Sequence, residues 1–378
     1  SWEISPDGKE YTFHLRKDVT FTDGTPFNAE AVKANMDAIV SNLPRHAWLD
    51  MVNEIDRNEV VDEYTYKLVL KHPYYPTLVE LGLTRPFRFI SPKCFIDGET
   101  KNGVSGYVGT GPWILAEHKD KQYAVFTRNE RYWGPKPALE RVRWKVMPDH
   151  QTILLALQKG EIDLIFGSGD MLNLDTFAAL QKEGKYKTEI SAPIASRAIL
   201  LNAHQPITKD INVREAFQYA IDKKAIVDGI LNGSETIADT LMAKTVPYCD
   251  IDLPVRSHDV AKANELMEKA GWSMGKDGYR YKDGKKCVVT IYYNSNNAQE
   301  RTISEYMQND LKKIGVELKI VGEEKQAFLD RQRTGEFDLQ YSLSWGTPYD
   351  PQSYLSSWRI PAHGDYQAQV GLERKEWL

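Results

Sequence analysis

The sequence predicts an α/β chain in two lobes, and three observations predict it. The chain has 378 residues, enough for two domains and a sizeable core. Residues 152–158 carry a helical pattern that stops at Gly160, and the apolar run 162–166 after it reads as a buried strand. A helix-to-strand step of this kind belongs to an α/β fold. Near residue 195 the pattern changes to longer helices with strands between and after them, a second α/β unit. The first lobe is therefore placed at 1–194 and the second at 195–378.

The elements follow in order. Residues 1–27 read as a β-meander, with turn dipeptides at Asp7-Gly8 and Asp23-Gly24 and a strand over 11–16 between them. A helix starts at Asn28, a good N-cap, and places Val32, Met36, Ile39 and Val40 on one face. Residues 43–48 then set Arg45 and His46 beside Trp48. Residues 60–70 alternate and predict one strand. A short helix over 77–83 stops before Thr84-Arg85-Pro86-Phe87-Arg88-Phe89. The Gly-rich loop 106–111 enters a strand at Pro112-Trp113. No Gly-Lys-Ser/Thr and no helix follow it, so it is turn chemistry rather than a phosphate cradle.

Past the helix-to-strand step, residues 194–202 make another strand. Residues 213–230 are helical in two pieces, with Asp222 capping the second. Asp259 caps a helix over 260–270 that ends at Gly271, and a further helix ends at Gly315. Strands are expected at 288–293 and 316–321. The last strand, 337–343, alternates with a period of two and is expected to be half-buried. Two turns follow it, Gly346-Thr347-Pro348 and Asp350-Pro351, set among Trp345, Tyr349, Tyr354 and Trp358. His363 arrives in one turn more. Aromatic side chains on turns at a strand end often wall a pocket. The alternative is that they are core residues and His363 a surface histidine.

Composition narrows the function. The chain is 42% hydrophobic and 27% charged, with a net charge of -5 and its Lys and Arg spread along the sequence. This does not favour a nucleic-acid partner. No run approaches the ~18 apolar residues of a membrane span. The chain opens on Ser1 without a signal peptide, and both ends read as cut. Cys94, Cys249 and Cys287 form no CxxC; buried free thiols are expected, with one disulfide as the alternative. No nucleophile elbow, zinc-protease helix or Walker lysine is present, and the eight histidines lack i,i+4 pairing. The reading is a protein that is not an enzyme and has no local metal cage.

The opening run SPDGKEYTFHLRKDVTFTDGTPFNAEAVKAN resembles the signature of the family 5 extracellular solute-binding proteins, the large binding components of ABC importers for peptides and nickel. Further matches run in the family's order: Gly109-Thr110-Gly111-Pro112-Trp113, Arg128 to Gly134, Gly160-Glu161-Ile162-Asp163, Val213-Arg214-Glu215-Ala216 and Ala270-Gly271-Trp272. Three stretches are most similar to the nickel-binding branch. They are Arg45-His46-Ala47-Trp48-Leu49, Thr84 to Ile90, and Trp345 through Gln369. The resemblance implies the two-lobed periplasmic binding fold of type II, of the large peptide- and nickel-binding class, truncated at both ends and closing by hinge motion.

It also implies a function. The chain would capture nickel as a complex with a small carboxylate-bearing chelator such as histidine and deliver it to an ABC permease in the inner membrane. It would work as a monomer in the periplasm, or exported and lipid-anchored at the cell surface. Arg45 and Arg85 would hold the chelator's carboxylates, His363 would be the direct nickel ligand, and Trp48, Trp345 and Tyr349 would line the pocket. The residue types suit those roles. Guanidinium matches a carboxylate bidentately, imidazole suits nickel, and Trp and Tyr give flat apolar walls. The rival is a peptide or another anionic chelate in the same fold. Pro348 stands where peptide-binding members carry an Asp, which weighs against a peptide, although Asp350 lies near.

Overall fold

The computed structural model describes residues 1–167, 171–346 and 348–357. The chain divides into two compact units, Ser1–Thr152 and Ile153–Leu378. The division falls inside the helix His150–Gln158, upstream of the boundary expected near residue 195.

The first unit is built on a four-stranded antiparallel sheet in the order Trp2–Ile4, Glu10–His14, Thr65–Leu70, Ile55–Asp62. The turn at Asp7-Gly8 joins the first pair, with Gly8 at φ +71°. The helix Ala29–Ser41 lies on the last two strands and buries Val32, Met36 and Ile39. Asn28 caps it, its side chain accepting from the Ala31 amide at 3.0 Å. The single strand expected over 60–70 is instead a hairpin. Asp62 Oδ1 accepts from the Tyr64 amide at 2.9 Å, and this Asx turn reverses the chain between two alternating runs. A hairpin of Phe95–Ile96 with Glu99–Val104 and a three-stranded sheet of Trp113–Lys119, Tyr123–Arg128 and Arg141–Lys145 complete the unit.

The second unit holds the sheet Arg197–Leu201, Leu339–Leu343, Val288–Asn294, Glu317–Glu323, in that spatial order. Val288–Asn294 pairs in parallel with both neighbours, and Arg197–Leu201 runs antiparallel to Leu339–Leu343. Its core joins Phe217, Met267, Ile291, Met307, Leu311 and Leu339. The helices Ile211–Ala220, Val260–Lys269 and Ala298–Lys313 supply one side of it. Asp222 and Asp259 cap as expected, accepting from the Ala225 and Lys262 amides. Gly271 and Gly315 take the positive φ that ends the preceding helices.

Residues 162–166 are not a buried strand: no neighbour pairs with them among the described residues, and Leu164 and Phe166 are 74% and 78% exposed. An apolar run becomes a strand only where another strand takes its amides and carbonyls. The strand Leu339–Leu343 is not half-buried either. It lies inside the sheet, so Gln340 and Ser342 are buried along with Leu339 and Tyr341. Gln340 Nε2 donates to the Phe328 carbonyl at 2.7 Å, which makes a polar residue tolerable there. Cys94, Cys249 and Cys287 are free thiols.

Candidate functional site

In the first unit the helix Ala29–Ser41 runs on through Asn42 into a short turn of helix, Leu43–His46. That turn leaves Arg45 exposed and leads to Trp48, which is buried. The segment Thr84–Phe87 contains a cis Arg85-Pro86 bond and leaves the helical backbone at Arg85. Pro86 and Phe87 point inward, Phe89 stacks on Phe27 with ring centroids 6.4 Å apart, and Arg85 and Arg88 are exposed. The Arg85 guanidinium lies over the Trp48 ring, 5.5 Å from its centroid. Two of the expected residues are thus brought together, with a cation on an aromatic face.

The electrostatics join Arg45 and Arg88 to them. Burial holds the His46 imidazole below its ordinary value, and the charges of Arg45, Arg85 and Arg88 push it the same way. Arg57, Arg128 and Arg331 are all tied up in ion pairs. Arg45, Arg85 and Arg88 are in none among the described residues. Three unneutralised guanidinia around one neutral imidazole make a surface that favours an anion. Sequence reasoning did not assign Arg88 or His46. Their signal lay in the quoted runs, where Arg88 follows Arg85 by three residues and His46 adjoins Arg45.

In the second unit the interior strand Leu339–Leu343 delivers the aromatic turn. The ladder continues one step past it: the Ser344 amide donates to the Ser196 carbonyl at 2.9 Å, and the Ser196 amide donates to Ser344 Oγ at 2.8 Å. Trp345 then packs between Tyr349 and Tyr354, ring centroids 5.3 and 5.5 Å away. The Tyr349 amide closes the turn on the Gly346 carbonyl at 3.0 Å. Gly346 lies so close to residue 194 that a Cβ would run into the Ile194 carbonyl oxygen. The second expected turn, at Asp350-Pro351, is a helix start. Asp350 Oδ1 accepts from the Gln352 amide, and Pro351 takes the first position of the helix Pro351–Ser357, where no amide proton is needed.

The topology gives this turn a second meaning. From Val288–Asn294 the chain crosses to Glu317–Glu323 on one side, then returns to Leu339–Leu343 on the other. The carboxyl ends of the first and last of these strands flank the point where the order reverses. Ligands of open α/β sheets bind at such points. Trp345 and Tyr349 stand just beyond one of those ends.

The structure therefore brings together Arg85 with Trp48, and Trp345 with Tyr349, each pair within its own unit. His363 lies outside the described residues, as does Trp358. Among the described residues no group of three or more His, Cys, Asp or Glu side chains could hold a metal ion. A cavity of about 340 Å³ in the second unit, lined by Asp222, Lys223, Asp239, Arg256 and His258 among others, includes none of the expected site residues.

Residues 1–366 match the family model of the bacterial extracellular solute-binding proteins, family 5. The chain is 44% identical over 377 residues to the nickel-binding periplasmic protein of Escherichia coli, covering 99% of this chain and 72% of that protein. Its structure is similar to NikA from Brucella suis in complex with Fe(III)-EDTA. The TM-score is 0.94 at 46% identity, over 99% of this chain and 76% of that one. It is also similar to NikZ from Campylobacter jejuni in complex with Ni(L-His), with a TM-score of 0.83 at 27% identity over 94% and 70% of the two chains.

Proposed function

The chain belongs to the bacterial extracellular solute-binding proteins, family 5, and from that premise we propose that it captures nickel as a complex with a small carboxylate-bearing chelator for an ABC importer. Its fold is the α/β fold of the type II periplasmic binding proteins, and its family consists of binding proteins rather than enzymes. One observation carries the ligand class: Arg45, Arg85 and Arg88 stand together around His46 with no ion pair among the described residues, and Arg85 lies on the Trp48 face. Such a surface takes carboxylates.

In this reading Arg45 and Arg85 hold the chelator's carboxylates, and Trp48, Trp345 and Tyr349 line the pocket. The chelator fills most of the nickel's coordination sphere, and His363 supplies the direct protein ligand. The likeness to the Escherichia coli nickel-binding protein and to NikZ with Ni(L-His) supports nickel carried by an organic chelator, histidine being one candidate. Delivery goes to the membrane permease of the importer, from the periplasm or the outer face of the cell membrane, by a monomer. No helix among the described residues is long and apolar enough to cross a membrane.

Calorimetric titration tests the reading. Nickel with free histidine is expected to bind tightly and nickel alone weakly or not at all. Equal affinity for the two, or no binding of either, removes the chelate. Nickel-edge X-ray absorption of the bound complex in His363→Ala should differ from wild type, and identical coordination removes His363 from the site.

A further inference from the structure

The two arginine-bearing segments of the first unit come from distant parts of the sequence. Arg45 follows the helix Ala29–Ser41; Arg85 and Arg88 lie some forty residues on, in a segment with little regular hydrogen bonding of its own. Something must fix their separation, because three like charges repel and among the described residues no carboxylate pairs with any of them.

The residue that spans the gap is Asn35, which is buried in the middle of the helix. Its Nδ2 donates to the Ile90 carbonyl at 2.9 Å and to the Ala31 carbonyl at 2.9 Å. Its Oδ1 accepts from the Ile90 amide at 3.0 Å. One side-chain amide thus takes both backbone groups of Ile90, as a neighbouring strand would, and anchors itself to its own helix with the remaining proton. Ile90 is two residues beyond Arg88. Next along the chain, Ser91 is pinned as well: its amide donates to the Val108 carbonyl at 2.8 Å and its hydroxyl to Asp23 Oδ2 at 2.7 Å. The arginine segment is therefore tied to the helix by a neutral group, which spends neither guanidinium on an ion pair among the described residues.

We propose that Asn35 is the positioning residue of the arginine site, setting the distance between Arg45 on one side and Arg85 and Arg88 on the other. The choice of residue follows from the chemistry. A carboxylate at 35 would lose the donor to Ile90 and neutralise the very charges the ligand needs. A lysine has no acceptor for the Ile90 amide. An apolar residue would leave both partly buried Ile90 groups without these partners. Only the clamp belongs to this inference; that the arginines meet the ligand's carboxylates rests on the reading above.

His46 reports the geometry without any ligand, because burial and, after it, the nearby guanidinia of Arg45, Arg85 and Arg88 hold its midpoint down. Its titration is followed by NMR in the intact protein, wild type and Asn35→Leu, with Leu68→Ala as a control of comparable core damage in the sheet. In Asn35→Leu the His46 midpoint is expected to rise toward the ordinary value as Arg85 and Arg88 drift away, and nickel–histidine affinity to fall about tenfold. Leu68→Ala is expected to lower the thermal midpoint and leave His46 alone. A folded Asn35→Leu with His46 unmoved overturns the proposal, and so does an equal shift in Leu68→Ala, which would make the role merely structural. If Asn35→Leu does not fold, Asn35→Ser carries the same two outcomes. An Ile90 amide that exchanges freely with solvent in the wild type overturns the clamp without any variant. A raised His46 midpoint with unchanged nickel–histidine binding leaves the clamp standing and removes the anion-site reading instead.

Discussion

The arginine segment around Arg85 and the aromatic turn around Trp345 both carry residues proposed to meet the ligand, and they are held in opposite ways. The turn is held by the very side chains proposed to line the pocket: Trp345 packs between Tyr349 and Tyr354, and Gly346 presses on the Ile194 carbonyl. The arginine segment is held chiefly by neutral contacts around its arginines, with only the Trp48 face against Arg85 itself. Pro86 and Phe87 are buried, Phe89 stacks on Phe27, and Asn35 grips the backbone of Ile90. The difference follows from what each group offers a ligand. An aromatic face remains a wall when its other face is packed. A guanidinium spent on an internal carboxylate is lost to the ligand, so its position has to be fixed by neutral contacts nearby.

If this contrast holds, substitutions in the turn should cost stability and those at the arginines should not. The largest effect is expected at Gly346. A side chain there meets the Ile194 backbone, which cannot rotate away, so Gly346→Val should lower the unfolding free energy by about 3 kcal/mol in a denaturant titration. A near-neutral result would mean that the close approach is relieved at little cost.

Trp345→Ala comes next, with about 1–2 kcal/mol of stability lost because the ring is only half-buried, together with weaker ligand binding. Arg85→Ala should stay within about 0.5 kcal/mol of wild type in the same unfolding assay, since its guanidinium is exposed, in no ion pair among the described residues, and held only by the Trp48 face. Comparable losses in the two variants would erase the distinction between the regions.

The smallest effect is a pH dependence. His46 in the folded protein titrates below its ordinary value, chiefly through burial and then through Arg45, Arg85 and Arg88. Between the folded value and about 6.5, where an unfolded histidine titrates, the unfolded chain binds more protons. Stability should therefore decline as pH falls through that window, and Arg88→Ala should shrink the decline because one repulsive charge is gone. Unfolding curves from pH 7 down to 5 check the sign; a slope of the opposite sense, or no change in Arg88→Ala, breaks the link between His46 and the arginines.

Much of this was legible in the sequence where the cause is local. The caps Asn28, Asp222 and Asp259 and the helix-ending Gly271 and Gly315 act within a few residues, and all five occupy the expected places. Misreadings arose where a distant neighbour decides. Whether 162–166 becomes a strand depends on a partner it does not find among the described residues, and the burial of Gln340 depends on strands on both sides. The Asp62 turn is local, but the alternation running through it hid it. At the site, Arg45, Arg85 and Trp48 entered through a family likeness rather than through spacing. Asn35 gave no signal at all, because a buried helix asparagine discloses its task only when Ile90 is seen beside it.

Arg45 and Arg85, in no ion pair among the described residues, are proposed to hold an anionic nickel chelate. Calorimetric titration of Arg45→Ala and Arg85→Ala with nickel–histidine, at one fixed ionic strength, tests it most directly. Arg85→Ala is predicted to lose about 2–4 kcal/mol of binding free energy, and Arg45→Ala a smaller amount, with both proteins folded as wild type. Wild-type affinity in both variants would contradict the account.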